Sequence, residues 1–198
     1  MLSPHSKLST ARRKFYNVLL DIRYGRILSG VIPSRYSHLG ATHTANSDYS
    51  ALAVLFKGRI KKTDVLVDVG CGKGRVINWW LNQGLPNRMI GIELDEDIAQ
   101  QTRERLSKHP NVEIITGNAV NDLPSAGTLF YLYNPFQAEI VAAFKHRLKQ
   151  IVDADHNRII TVVYYNSRHL DLFLNDARCT VTLGEYLHPF AIIEMKYI

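Results

Sequence analysis

The stretch Val65-Leu-Val-Asp-Val-Gly-Cys-Gly-Lys-Gly-Arg-Val76 decides the fold. Val65 to Val69 is an aliphatic, β-branched run of the kind that forms a buried strand. Three alternating glycines, Gly70, Gly72 and Gly74, stop it, and a helix follows with Val76, Ile77 and Trp80 on one face. Strand, glycine turn and helix together make a cradle for a nucleotide-like ligand. Glycine lets the backbone turn sharply and lets a ligand approach without meeting a Cβ. The helix N-terminus adds free N–H groups.

Downstream of this cradle, strand-like and helix-like segments alternate. Strands are expected over residues 89–94, 112–116, 128–133 and 158–165, with helices over 95–108 and 137–152 between them. The first of these helices turns Ile98, Thr102 and Leu106 inward, and the second Val141, Phe144, Leu148 and Ile151. Ser167 is expected to cap a short helix carrying Leu172 and Phe173. Residues 180–186 and 191–197 alternate as two final strands joined near His188 and Pro189. This order predicts an α/β fold: a doubly wound, mostly parallel, seven-stranded sheet with an antiparallel edge strand.

Upstream lies a helical N-terminal extension, residues 1–62, distinct from the cofactor domain at 63–198. Leu8, Ala11, Phe15, Val18, Leu19 and Ile22 recur at helical spacing, which predicts a helix over 7–24 with Gly25 as its C-cap. A basic amphipathic helix of this kind can lie on a membrane or RNA, and more often packs its apolar stripe on its own domain. Residues 25–46 read as irregular, with Tyr36, His38, His43 and Tyr49 clustered around them. Ser47 or Asp48 caps a second helix carrying Tyr49, Leu52, Ala53 and Phe56.

The net charge of +6 is unevenly placed. Residues 1–62 hold 11 Lys and Arg against Asp21 and Asp48, so the whole basic excess lies ahead of the glycine strand. Such a block can attract nucleic acid, an anionic surface such as a membrane, or an acidic protein. No apolar run is long enough to span a membrane, no secretory signal is visible, and Cys71 and Cys179 form no disulfide or zinc pattern. A cytoplasmic protein with reduced thiols is expected. The eight histidines show no metal-ligand spacing, so no metal is expected.

A dinucleotide fingerprint, G-x-G-x-x-G, would need glycine at position 75, where Arg75 stands. The run Asp68-x-Gly70-x-Gly72-x-Gly74 instead resembles the first motif of the class I S-adenosylmethionine (SAM)-dependent methyltransferases. The resemblance covers residues 63–198 and implies SAM as cofactor, with Asp68, Gly70, Cys71, Gly72 and Gly74 packed on its methionine end. It implies that Glu93, at the tip of the second strand, accepts hydrogen bonds from the ribose hydroxyls. Asn118, just after the third strand, would read the adenine amino group, with the Ala119 N–H beside it. Asn134-Pro135-Phe136 resembles the [N/D]-P-P-[F/Y] motif of amine-directed methyltransferases, in which the amide holds the acceptor amine and the aromatic ring packs on the substrate. The second proline is missing, so Phe136 arrives one residue early.

The reading is a SAM-dependent methyltransferase acting on an amine nitrogen of a protein, a base or a small molecule. Two alternatives stay open. One is a catalytically silent cofactor fold that binds RNA or an anionic surface through residues 1–62. The other is an NAD(P)-dependent oxidoreductase, since such enzymes also have an acid near Glu93.

Overall fold

The computed structural model describes residues 10–30, 46–133 and 136–198. Its central strand is β1 (Leu66–Val69), flanked by β2 (Met89–Glu93) and β4 (Leu129–Tyr133), both parallel to it. β3 (Val112–Thr116) extends the sheet beyond β2, and β5 (Ile159–Tyr165) extends it beyond β4. The last two strands, β6 (Cys179–Tyr186) and β7 (His188–Lys196), form a hairpin. The sheet order is β3-β2-β1-β4-β5-β7-β6. The expected mixed sheet is the one observed. Its antiparallel strand, β7, sits between β5 and the outermost strand β6. The joining turn is shorter than the alternation suggests: Tyr186 pairs with His188, and Leu187 alone makes the bend at φ 61°.

Side chains alternate across a strand, so each strand feeds two cores. On one face, Leu66, Met89, Leu129, Tyr131, Val163 and Ile192 meet α3 (Arg75–Asn82) and α4 (Glu96–Leu106). On the other, Val67, Ile90, Phe130, Val162 and Ile193 meet α5 (Ala138–Asp153) and Phe173 of α6 (Asp171–Leu174). The α5 stripe is the expected one, with Val141, Phe144, Leu148 and Ile151 all buried. Between β3 and β4 the chain crosses without a helix; Ala119 and Leu123 of that loop cover the second face instead. The α6 helix starts later than expected, with Leu170 rather than Ser167 at its N-cap.

The extension is built into the first core. α1 (Thr10–Arg23) and α2 (Tyr49–Leu55) contribute Leu20, Tyr49, Leu52 and Leu55 to the same cluster as Trp80 and Leu66. Asp48 caps α2, accepting from the Ser50 N–H at 2.9 Å; Ser47 instead bonds the Tyr131 hydroxyl at 2.7 Å beneath it. Of the two readings of α1, the commoner one, with the apolar stripe packed inward, is not what is seen. Leu20 and Asp21 are its buried residues, while Phe15, Leu19 and Ile22 point outward. A buried charge interaction overrides the apolar stripe: Asp21 meets Arg75 of α3 at 2.5 Å, with Asp21 fully buried and Arg75 at 7 % exposure. Leu8, Tyr36, His38 and His43 lie outside the described residues. No helix among the described residues is long and apolar enough to cross a membrane.

Candidate active site

The register of the parallel strands levels their C-terminal ends. Val69 of β1 lies between Ile92 and Leu132, so the glycine turn, Glu93 and Tyr133 share one rim. The turn is anchored to β2 by two donors, Gly70 N–H and Cys71 N–H, both on the Ile92 carbonyl at 2.9 and 2.8 Å. Gly70, Gly72 and Gly74 all adopt positive φ, at 73°, 51° and 75°. A side chain at Gly72 would be strained there whatever the space around it. Gly74 has a second reason to be glycine: a Cβ would stand 2.9 Å from Thr102 Cγ2 and 3.0 Å from an Arg105 guanidinium nitrogen. It is the left-handed N-cap from which α3 starts.

Glu93 holds the turn in place. One of its oxygens accepts the Gly72 N–H at 2.7 Å and the other the Asp95 N–H at 3.0 Å. Burial raises its pKa above the ordinary glutamate value, and the backbone donors only partly offset this. Each oxygen keeps a second lone pair that can accept a further hydrogen bond. From the α4 side, Thr102 Oγ1 donates to the Gly72 carbonyl at 3.0 Å, and Arg105 donates to the Lys73 carbonyl at 2.6 Å.

Asp68 lies on β1 opposite Gly91 and Tyr131 and is 2 % exposed. Its Oδ2 is buried with no hydrogen-bond partner. Burial first, then the Glu93 carboxylate, push its pKa well above the usual aspartate range. An unpaired buried carboxyl is costly, and here it stands immediately before the glycine turn, where a cationic ligand group would relieve it. Cys71 faces the core: its Sγ would be 2.7 Å from a Cβ at Gly91, and burial keeps the thiol protonated by raising its pKa well above normal. Only its backbone borders the turn.

Asn118 closes a loop of its own. Its Oδ1 accepts the Val120 N–H at 2.8 Å, while its own N–H donates to Asp122 Oδ2 at 2.8 Å. The same carboxylate explains Gly117, where a Cβ would stand 2.7 Å from that oxygen. Ala119 is buried beneath this turn. Phe136 is half-buried, its ring packed on the α5-side core. Asn134 and Pro135 lie outside the described residues.

Beside the end of β4, Tyr133 packs on Tyr165 at 4.8 Å between ring centroids, and His188 stands 5.4 Å from Tyr165. Sequence reasoning did not bring Tyr133 and His188 to this rim, because the hairpin that carries His188 here is a tertiary arrangement. It also missed Gly91, Thr102, Arg105 and Asp122. For Gly91 a signal existed: it is a glycine inside a strand, a mark of close approach by another part of the chain. Among the described residues no cluster of His, Cys, Asp and Glu is arranged to hold a metal.

The extension reaches the site through Lys73, the residue between the last two glycines of the turn. Its ammonium donates to the carbonyls of Leu28, Ser29 and Gly30 at 3.1, 3.2 and 3.1 Å. Arg105 ties the same segment down by donating to the Tyr24 carbonyl at 2.9 Å.

Residues 66–164, half of the chain, match the methyltransferase domain family. The ribosomal RNA small subunit methyltransferase A of Thermotoga neapolitana is 36% identical over 77 residues, which are 39% of this chain and 28% of that protein. The chain therefore spans little more than a quarter of the length of that relative. The RNA methyltransferase of Salinibacter ruber, solved with S-adenosyl-L-homocysteine, superposes with a TM-score of 0.56 at 19% identity over 77% of this chain and 93% of that one. The O-methyltransferase NcsB1 from neocarzinostatin biosynthesis, solved with SAM, gives 0.55 at 14% identity, covering 76% of this chain and 55% of that one. At such identities these structures speak for the fold. The glycine turn pinned by Glu93, the sheet order with its inserted antiparallel strand, and the family match agree: the chain belongs to the SAM-dependent methyltransferases, whose cofactor is S-adenosylmethionine.

Proposed function

We propose that this chain transfers a methyl group from SAM to an amine-type nitrogen, with a base of RNA as the first acceptor class to test. The observation that carries the reading is the buried Asp68 carboxyl, its Oδ2 without a partner, standing two residues before a turn of three alternating glycines whose backbone is fixed by Glu93. These residues fit the cofactor. Asp68 offers a carboxyl to a cationic amino group, the turn from Gly70 to Gly74 leaves room for close approach, and Glu93 has lone pairs left for hydroxyls. Asn118 and Ala119, at the tip of β3, would take the adenine end, although the Asn118 carbonyl oxygen already serves its own turn.

When bound, SAM supplies a methyl carbon already activated by the positive sulfonium. The chain's task is then alignment rather than activation. Asn134 and Pro135 follow directly from β4, whose end lies on the same rim as the glycine turn. Through the Asn134 side-chain oxygen they would orient a neutral amine, as the resemblance of Asn134-Pro135-Phe136 implies. None of the carboxyl and thiol groups beside the glycine turn is set up as a general base, and the imidazole of His188 stands beside Tyr165 at the end of β5. Glu93 is engaged by two backbone donors, Asp68 would be taken up by the cationic amino group of the cofactor, and the Cys71 thiol stays protonated. Such a site suits an acceptor that attacks with its own lone pair.

The name of the Thermotoga relative favours RNA among the amine acceptors. The basic excess of residues 1–62 supports a polyanionic partner as well. Against the oxidoreductase alternative, position 75 is occupied by a buried arginine paired with Asp21, where a dinucleotide turn needs glycine. The test is methyl-labelled SAM with total RNA, total protein and the small-molecule fraction of a cell extract. Label in an RNA nucleoside, methylated on nitrogen, is expected. SAM binding with no label in any fraction would leave a silent cofactor fold, and heat from NAD but none from SAM would overturn the reading altogether.

A further inference from the structure

The outward face of α1 serves no purpose in the site just described. Phe15, Leu19 and Ile22 lie four and three residues apart, so they share one side of the helix. They are 65 %, 51 % and 54 % exposed, and Ile27 in the following turn is 51 % exposed. Arg12, Lys14 and Arg23 stand on the exposed surface of the same helix, and Arg26 beside Ile27. Residues 10–30 contain one acid, Asp21, and it is consumed in the interior by Arg75. The surface presented by this segment is therefore apolar along its middle and cationic along its flanks.

We infer that this face docks on an anionic lipid surface. The arrangement suits a helix lying in the headgroup region: aliphatic and aromatic groups enter the acyl boundary, while long basic side chains extend to lipid phosphates. RNA fits less well, since its phosphates would meet Phe15, Leu19 and Ile22 at the centre of the patch and the cations only at its edge. A second copy fits less well, because a two-fold contact through this face would set its cations against one another. The helix is held in one orientation by the buried Asp21–Arg75 pair and by Asn17, whose side chain bonds the Tyr49 N–H at 3.1 Å. A docked helix would thus present the methyl-transfer rim at a fixed angle to the surface.

The full chain should sediment with phosphatidylcholine vesicles containing about 30 % phosphatidylglycerol and bind pure phosphatidylcholine vesicles about tenfold more weakly. Leu19→Glu with Ile22→Glu should lower partitioning to the anionic vesicles about tenfold or more, with the melting temperature unchanged, because both side chains are exposed. Arg23→Gln with Arg26→Gln should lower it by a similar factor and flatten its salt dependence. Equal partitioning of wild type and the Leu19/Ile22 variant, or no binding to either vesicle, would overturn the inference. So would variants that lose RNA retention on a filter while vesicle binding stays at the wild-type level. A wild-type dimer in lipid-free sedimentation that the Leu19/Ile22 change converts to monomer would assign the face to self-association instead.

Discussion

Asp68 and Glu93 sit on neighbouring strands, and each carboxyl is raised in pKa mainly by burial, yet they differ in one respect: Glu93 accepts two backbone donors, and Asp68 Oδ2 accepts none. Because its folded-state pKa is raised, Asp68 contributes least to stability once it ionises. Ionisation costs the folded state progressively as the pH rises from the unfolded value, about 4, through the raised one. Asp68→Asn should therefore raise the melting temperature of the cofactor-free protein at pH 7 by a few degrees, and weaken SAM binding about tenfold by losing a charge-assisted contact. A variant with a lower melting temperature and undiminished SAM affinity, read by thermal scanning and calorimetry, would make Asp68 a structural residue. Glu93→Gln should behave differently. A Gln amide accepts through one atom only, so either the Gly72 or the Asp95 N–H loses its partner. About 1–3 kcal/mol of stability should go with it, and SAM affinity should fall with the stability rather than against it. Gly72→Val should abolish SAM binding outright, since its φ of 51° strains any branched side chain and the added atoms fill the turn.

At the level of elements, the Asp21–Arg75 pair is the hinge pin between α1, α2 and α3. Arg75 donates to both Asp21 oxygens, the Tyr49 hydroxyl donates to Asp21 at 2.8 Å, and the Leu28 N–H donates at 3.0 Å. Arg75 follows Gly74 directly, so the first turn of the cofactor-side helix is fastened to the extension. Removing one partner strands a buried charge, which typically costs about 3–5 kcal/mol. Asp21→Asn and Arg75→Met should each lose stability of that order in urea unfolding. The double variant should lose much less than the two together. Additive losses would mean that the two side chains act independently. The same pair accounts for the orientation of α1: its apolar stripe loses the interior to a residue whose charge is satisfied only there.

For the whole molecule, the described residues of the extension, 10–30 and 46–62, contribute to one core with the sheet. Leu20, Tyr24, Leu28, Tyr49, Leu52, Leu55 and Phe56 are all buried. At about 1.5–3 kcal/mol for each large apolar side chain, their loss would remove about 10 kcal/mol or more. A domain has about 5–15 kcal/mol in all. A fragment comprising 63–198 should consequently fail to give a cooperative melt by circular dichroism. A cooperative transition near that of the full chain would establish the extension as separable. Point variants, rather than that deletion, are thus the proper probes of what the extension binds. The acid limit of stability should be set in part at the other end of the sheet. Burial pushes the Asp176 carboxyl up, but hydrogen bonds from Lys145 and Lys149 outweigh it and hold the pKa well below the aspartate range. A depressed carboxylate stabilises fully above its unfolded pKa, about 4, and that contribution drains away as the pH falls further. Between pH 6 and pH 3 the urea midpoint of wild type should fall more than that of Asp176→Asn.

The strand–glycine–helix corner, the alternation of elements and the α5 stripe were legible in the chain because they rest on local physics: side-chain periodicity, and backbone angles that only glycine adopts freely. The acid at Glu93 was legible for the same reason, as a residue at a strand tip. That it also pins the turn was not, for the partners in that task are the N–H groups of Gly72 and Asp95 in a folded turn. The direction of the α1 stripe was left open because spacing reports which residues share a face and says nothing of which face wins the interior. That was decided by Arg75, 54 positions away from Asp21. The approach of Tyr133, Tyr165 and His188 at the rim was likewise out of reach, since a hairpin returning between β5 and the sheet edge is a choice made by packing. The sequence by itself determined a SAM-type cradle on a parallel sheet. Only the tertiary structure decided that the basic extension is welded to that cradle, because the welding is done by buried charges whose partners come from distant parts of the chain.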